Sequence, residues 1–292
     1  MHDIFTFCDI HGMYDLYKAI MNYCNEQDPE ATIVFIGDAC DRGADGYKIM
    51  KELLANPRVV YLKGNHEDLF VKAAYEIKDE FHPFGEITKE RVSSFLNTCM
   101  GYDYRYHNIQ LSLQNGGKST LMDWMLNGMS MKFVKDIDNL PLTFSTDTCD
   151  FCHAAGVYKT FKRAADCEYE AKPVDEYDKN SLLWSRSAFN FGWAANRTVV
   201  FGHTPVPYLL EDMDIEYDPN VDVQPLKYYG VLYRDEGMTG AKIDMDTGAC
   251  FLGDAYVLNT LTMKVYGFED TDIRSTKEIR THEVKKIGCI QL

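Results

Sequence analysis

The sequence predicts an α/β fold built on a parallel sheet. Three observations carry this. The first 70 residues alternate between short apolar runs and amphipathic helical stretches. Each apolar run stops at or near a glycine and is followed at once by Asp, Asn, His or Arg. The chain closes on a series of short apolar runs separated by turn signals. Strand–helix–strand alternation at this spacing means βαβ units.

Ile4–Cys8 reads as the first strand, followed by the helix "MYDLYKAIMNYCNE". Ile33–Ile36 reads as a second strand, followed by the helix "GYKIMKELLAN". Val59–Leu62 is the third, followed by the helix "EDLFVKAAYEIKDEF". Such unbroken apolar runs suit strands buried on both faces. Residues 70–131 are mostly helical in pattern and rich in Tyr, Met and Asn, and read as a helical insertion over one end of the sheet. Short strands follow near Leu142–Ser145, Asp150–Cys152 and Thr198–Phe201. The stretch 211–227 is acidic and irregular, a loop by composition. "GAKIDMDTGACFLGDAYVLNTLTMKVYGF" reads as a closing β-meander. With no repeat, low-complexity segment or clear linker, 1–292 is expected to be one domain.

Composition narrows the function. The chain has 292 residues, 46% of them apolar, and a formal charge of -15. That charge opposes binding of bulk nucleic acid or anionic membrane through a basic surface, but leaves room for an anion held by a locally positive site. No apolar run approaches the roughly 20 residues of a membrane helix. Nine cysteines without a basic, apolar leader suggest reduced thiols and a cytoplasmic location. Two motifs mislead. "CDFCH", Cys149 to His153, has the spacing of a haem-attachment site, which belongs to oxidising compartments; the two cysteines read better as small apolar strand residues. "GGKST", Gly116 to Thr120, ends like a phosphate-binding P-loop, but Ser112 stands where that loop needs its first glycine. It reads as a turn leading into the helix "LMDWML".

In open α/β sheets, chemistry gathers beyond the carboxyl ends of the strands. Asp9 and His11 stand after the first strand, in "CDIHG". Asp38, Asp41 and Arg42 stand after the second, in "GDACDRG". Asn65 and His66 stand after the third, in "GNHED". His153 and His203 end later strands, in "CHAAG" and "FGHTP". Taken singly, Asp9 or Asp38 would be a helix cap and His203 a hydrogen-bonded structural residue. Jointly, five strand ends deliver six ligand-type residues: Asp9, His11, Asp38, Asn65, His153 and His203. Oxygen and imidazole donors without thiolate suit Mn, Fe, Zn or Co. Six ligands exceed what one catalytic ion with an open position needs, and suit two ions sharing a carboxylate. Asp38, on the central loop of the first three, is the natural bridge.

These motifs together resemble the metallophosphoesterase superfamily, and within it the phosphoprotein phosphatase type, including compact bacterial and phage members and the related symmetrical dinucleoside tetraphosphatases. The resemblance runs from Asp9 to His203, and "IDMDTGACFLG" is similar to the family's closing strands. It implies a sandwich of two mixed sheets flanked by helices. It implies that Asp9, His11 and Asp38 hold one ion, and that Asp38, Asn65, His153 and His203 hold the other. His66 would be the general acid, oriented by Asp41, and Arg42 would bind phosphoryl oxygens, with Arg186 in "LLWSRSAF" as the candidate second arginine. Cys8 stands where the family usually has glycine. Pro205 replaces a second histidine found in many phosphodiesterase branches, which favours the phosphoprotein phosphatase type. The expected activity is hydrolysis of phosphomonoesters by hydroxide generated between two divalent ions, Mn foremost. Phosphoserine or phosphothreonine in proteins leads as substrate, with small phosphoesters beside it. A dinucleoside tetraphosphate hydrolase and an inactive binding scaffold on the same fold are the alternatives. No feature of the sequence speaks to oligomeric state.

Overall fold

A computed structural model describes residues 2–82, 85–101, 104–154, 179–186, 197–218, 222–223, 226–235, 241–270 and 284–292. The chain opens with β1 (Ile4–Phe7), α1 (Tyr14–Gln27), β2 (Thr32–Phe35), α2 (Gly46–Ala55), β3 (Val59–Tyr61) and α3 (Asn65–Glu80). Four further helices follow: α4 (Lys89–Cys99), α5 (His107–Gln114), α6 (Lys118–Leu126) and α7 (Met131–Asp138). Then come β4 (Thr143–Ser145), β5 (Cys149–Cys152), α8 (Lys179–Trp184), β6 (Thr198–Phe201) and α9 (Val206–Asp212). The last part holds β7 (Asp222–Val223), β8 (Leu226–Tyr228), β9 (Leu232–Asp235), β10 (Ala241–Asp244), α10 (Ala249–Leu252), β11 (Asp254–Asn259), β12 (Lys264–Asp270) and β13 (Val284–Gln291).

The strands form two mixed sheets. One runs β13-β12-β11-β1-β2-β3 and the other β4-β5-β6-β10-β9-β8-β7. In the first sheet β1, β2 and β3 are parallel, as the βαβ reading requires, and β11 lies antiparallel against β1. In the second, β6 is parallel to both β5 and β10. The period-2 alternation of a strand explains the sandwich. Ile33 and Phe35 of β2 face the helices, with Leu16 and Ile20 of α1 and Ile49 of α2. Val34 and Ile36 face the other way and meet Phe151, Val200 and Ile243 of the second sheet. On the far side, Val199 and Phe201 of β6 pack with Leu209 and Leu210 of α9. The apolar runs are continuous because both faces of these strands are covered.

Three details differ from the sequence reading. The helical layer continues to Asp138, because Phe133 of α7 packs against Tyr47 and Phe70 at ring centroids 5.0 and 6.0 Å apart. The acidic stretch is not simply a loop. Glu211 and Asp212 end α9, and Asp222–Val223 pairs with Leu226–Tyr228 as an edge hairpin; residues 219–221 and 224–225 lie outside the described ones. The closing segment is not one meander. β10 pairs with β6 and β9 in the second sheet, whereas β11 crosses to the first. Between them "ACFL" is a helical turn rather than a strand, because Gly248 and Gly253 on either side are left-handed, at φ 76° and 78°. No described helix is long and apolar enough to cross a membrane.

Candidate metal centre

The ends of β1, β2, β3, β5 and β6 meet at one rim of the sandwich. Asp9, His11, Asp38, Asn65, His153 and His203 are all buried there, each 5% exposed or less. Neither Asp9 nor Asp38 caps the helix that follows it, since the N-cap positions of α1 and α2 are Met13 and Asp45; Asp38 Oδ1 instead accepts His66 N–H in the first turn of α3 at 3.0 Å.

Asp38 stands at the centre. Its Oδ2 lies 3.5 Å from His11 Nε2, and its Oδ1 lies 3.5 Å from His153 Nε2. Two groups of donor atoms within 4.8 Å of one another share it: His11, Asp38 and His66 on one side, Asp38, His153 and His203 on the other. Asn65 Oδ1 joins the second group, 2.8 Å from His153 Nε2 and 2.9 Å from His203 Nδ1. Asp9 lies beside His203 of the second group. Its Oδ2 accepts the His203 backbone N–H at 3.1 Å, while its Oδ1 is buried with no hydrogen-bond partner.

These residues fit a pair of metal ions. His11 Nδ1–H donates to the Cys40 carbonyl at 2.8 Å, and His153 Nδ1–H donates to the Ile36 carbonyl at 2.9 Å. A nitrogen that donates to a carbonyl fixes the tautomer and leaves the other ring nitrogen with a free lone pair. In both rings that nitrogen is Nε2, the atom facing Asp38. Burial also keeps these imidazoles neutral, as ligands must be: it pushes His11 and His153 below the ordinary histidine range, and His203 down to about 2. Burial alone would raise Asp38, but the imidazoles of His153, His66 and His11 outweigh it and hold the carboxylate below its usual range. Asp9 goes the other way, raised by burial and by the charges of Asp246 and Asp38. A buried, partly orphaned carboxylate beside other carboxylates is an environment that a cation would stabilise.

The backbone here is strained. Of the nine described non-glycine residues in the left-handed region, six are Asp9, His11, Asp38, Asp41, Arg42 and His203, at φ 43–72°. Such conformations cost on the order of 1–3 kcal/mol each and persist where surroundings over-determine them. Glu67 supplies much of that here. Its carboxylate accepts from Asp38 N–H, Ala39 N–H, Gly64 N–H and Tyr61 O–H at 2.8–2.9 Å, locking the second strand-end loop to the third. Burial and Asp38 push it up to about 7, against the pull of those donors. Sequence reasoning gave Glu67 no role, although it is the fourth residue of "GNHE" and its position beside His66 was the available signal. Asp246 was missed as well. It is buried after β10, its Oδ1 accepting from Gly248 N–H at 2.9 Å.

His66 and Arg42 line the first group. His66 Nδ1 lies 2.9 Å from Asp41 Oδ2, both residues buried, and its Nε2 is 3.9 Å from Asp38 Oδ2. Burial would lower His66, but Asp38 and Asp41 outweigh it and raise it above the usual value. Arg42 places Nη1 2.6 Å from His11 Nε2 and Nη2 3.1 Å from His66 Nε2. Its guanidinium carbon lies 5.3 Å from the Phe251 ring centroid. Arg186 is on the other side. Its Nη1 donates to the His203 carbonyl at 3.3 Å and lies 3.5 Å from Thr204 Oγ1. The structure therefore brings the six ligand candidates, Asp41, His66 and Arg42 into one cluster, with Arg186 beside the His203 loop. Cys149 and Cys152 are buried in β5 as free thiols.

The calcineurin-like phosphoesterase family model matches residues 4–231 of this chain. Among solved structures, a provisionally assigned diadenosine tetraphosphatase is similar, with 14% identity and a TM-score of 0.51 over 91% of this chain and 92% of that one. A metallophosphoesterase from Sphaerobacter thermophilus aligns at 10% identity and a TM-score of 0.45, covering 90% and 86%. A mutant of a cold-active protein tyrosine phosphatase aligns at 14% identity and 0.48, covering 91% and 77%. Among curated proteins no sequence matches.

Proposed function

The chain belongs to the calcineurin-like phosphoesterase family, and from that premise we propose that it is a two-metal phosphomonoesterase whose preferred substrates are phosphoseryl and phosphothreonyl proteins. In this reading Asp9, His11 and Asp38 hold one divalent ion, and Asp38, Asn65, His153 and His203 hold the other, Mn being the first candidate among Mn, Fe, Zn and Co. When bound, such a pair supplies Lewis-acid charge and a nucleophilic water at neutral pH.

The protein's own groups do the rest. Arg42 presents its guanidinium beside the first group and binds phosphoryl oxygens, with bidentate geometry available to it. Arg186 is a second anion-binding candidate from the opposite side. His66 donates the proton that the departing oxygen requires. Asp41 accepts from Nδ1, which directs Nε2 into the site and favours the protonated ring.

The observation that carries this reading is the buried His66–Asp41 pair at 2.9 Å, beside two donor groups that share Asp38. A positioned acid matters most where the leaving group is a poor one, and the alkoxides of serine and threonine are poor leaving groups. A second support is the acidic run after β6. Glu211, Asp212, Asp214, Glu216 and Asp218 are all exposed within fifteen residues of His203, which disfavours a substrate carrying several further phosphates. The test compares kcat/KM for a phosphoseryl peptide and for diadenosine tetraphosphate at one Mn concentration and one ionic strength. The peptide should win. A tenfold preference for the dinucleotide, about 1.4 kcal/mol in the transition state, would transfer the assignment to dinucleoside tetraphosphate hydrolysis. Absence of turnover on both by metal-loaded protein would leave a binding scaffold.

A further inference from the structure

The "NGGKST" segment ends like a phosphate-cradling loop, yet the N–H groups of both its glycines are already used. Gly116 N–H donates to the Leu113 carbonyl at 3.1 Å and Gly117 N–H to the Ser112 carbonyl at 2.9 Å, closing α5. What the turn offers outward is a set of partners for another loop's backbone. The Gly116 carbonyl accepts Arg42 N–H at 2.9 Å. Thr120 Oγ1 accepts Asp41 N–H at 3.0 Å. Ser119 Oγ donates to the Gly43 carbonyl at 2.7 Å. Three consecutive residues of the second strand-end loop are thus gripped by one turn from the helical layer.

Two of the gripped residues are strained. Asp41 and Arg42 sit at φ 69° and 64°, and without outside support a non-glycine residue leaves that region. The approach is also as close as backbone permits. Gly116 is at φ 90°, and a Cβ there would come within 3.0 Å of Arg42 N and Cγ. Thr120 is fully buried at the first turn of α6, so its hydroxyl bond to Asp41 is shielded from water.

We propose that the Gly116–Thr120 turn is a positioning element of the active site, holding Asp41 and Arg42 in the conformation in which one orients His66 and the other faces the phosphoryl group. The inference rests on the roles given to those residues above. The turn grips two residues with different tasks, so two substitutions separate its effects. Removing the Thr120 hydroxyl releases Asp41 and impairs proton donation. A side chain at Gly116 displaces Arg42 and impairs phosphate binding. A turn that only supported the fold would lower stability without this split.

The experiment compares Mn-loaded wild type, Thr120→Val, Thr120→Ser and Gly116→Ala. It measures kcat and KM for a phosphoseryl peptide and an aryl phosphate, the affinity for inorganic phosphate by calorimetry, and the melting temperature. Thr120→Val should lower kcat on the peptide roughly tenfold, the scale of one buried hydrogen bond, with KM little changed. The loss on the aryl phosphate, whose leaving group needs little protonation, should be within about threefold. Thr120→Ser keeps the acceptor and should recover most of the peptide activity. Gly116→Ala should weaken phosphate binding by roughly tenfold. The proposal is overturned if serine is no better than valine at 120, if both substrates lose equally, or if Gly116→Ala binds phosphate as tightly as wild type. Should wild type turn over neither substrate, the proposed function fails by itself, and the phosphate affinity of Gly116→Ala still decides whether the turn positions Arg42.

Discussion

The two halves of the candidate metal centre are built in different ways. Asp9, His11, Asp38 and Asn65 come from three neighbouring parallel strands within one stretch of chain, and backbone bonds zip their loops together. Asp9 N–H donates to Gly37, His11 N–H to Asp38, Gly12 N–H to Ala39 and Gly43 N–H to His11, all at 2.9–3.0 Å. His153 and His203 come from the second sheet. Their loops are tied to each other by Gly202 N–H to the His153 carbonyl at 2.9 Å. Across the sandwich they hold on through His153 Nδ1 to the Ile36 carbonyl, His203 N–H to Asp9 Oδ2, and Asn65 Oδ1. The first half is a property of local strand ends. The second exists only while two sheets stay packed. Preorganisation is therefore greatest in the first half, and the second half depends on the core between Val34, Ile36, Phe151 and Val200.

The largest effect should come from the residue common to both halves. Asp38→Asn should lose metal from both groups and lower activity by roughly 10³-fold or more, since each ion contributes several kcal/mol. Elemental analysis beside kcat checks it. Retention of both ions by the variant would show that Asp38 is not the bridge.

His66 comes next, because it belongs to the first half spatially without holding an ion in the assigned roles. His66→Asn should keep its metal and lose roughly 10²–10⁴ in kcat on a phosphoseryl peptide, with a much smaller loss on an aryl phosphate. Parallel loss of metal would move His66 into the ligand set, where its distance to Asp38 and His11 would allow it.

A smaller effect separates the halves directly. His203→Gln should give up the second ion while the first remains, so a chelator titration followed by metal content should show one ion lost early and one late. Simultaneous release from wild type and variant alike would mean that the halves are not independent.

The smallest effect on activity should come from Arg197, which precedes β6 at the end opposite His203. Its Nε donates to the buried Asp150 at 3.0 Å, and a second nitrogen reaches the Cys149 carbonyl at 3.3 Å. Arg197→Ala should cost about 1–3 kcal/mol of stability, as for a hydrogen bond to a charged group, visible as a lower melting temperature. kcat/KM of the folded protein should stay within about twofold of wild type. A large fall in kcat/KM would show that the second sheet transmits strain to its histidines.

The first half was also the legible half. A strand buried on both faces must be a continuous apolar run, and "TIVFIG" and "IFTFC" announce where the run stops and the ligands begin. The positions of His153 and His203 were legible for the same reason, since "CDFCH" and "VVFGH" follow the same rule. What could not be read is everything set by distant pairing. β10 looks like the start of a meander, but its partner is chosen by β6. The hairpin of β7 and β8 has strands of two and three residues, too short to show a period. Glu67 and Thr120 act on backbone N–H groups of a loop that lies 28 and 79 residues away from them in sequence, and no spacing rule reports such bonds. Arg186 was named only through the family resemblance; it stands near the site because its segment meets the His203 loop, which composition does not encode.

The place of β1 in its sheet has a consequence for biosynthesis. β1 is paired with β2 on one side and with β11 on the other. β11 emerges from the ribosome roughly 190 residues after β3, an interval of roughly 10–40 s at about 5–20 residues per second. Throughout that interval "IFTF" offers an unsatisfied apolar edge, the kind of template that recruits a foreign strand. The nascent chain can thus assemble its first three strands and the loops bearing Asp9, Asp38 and Asn65 well before it can cover the open edge of β1.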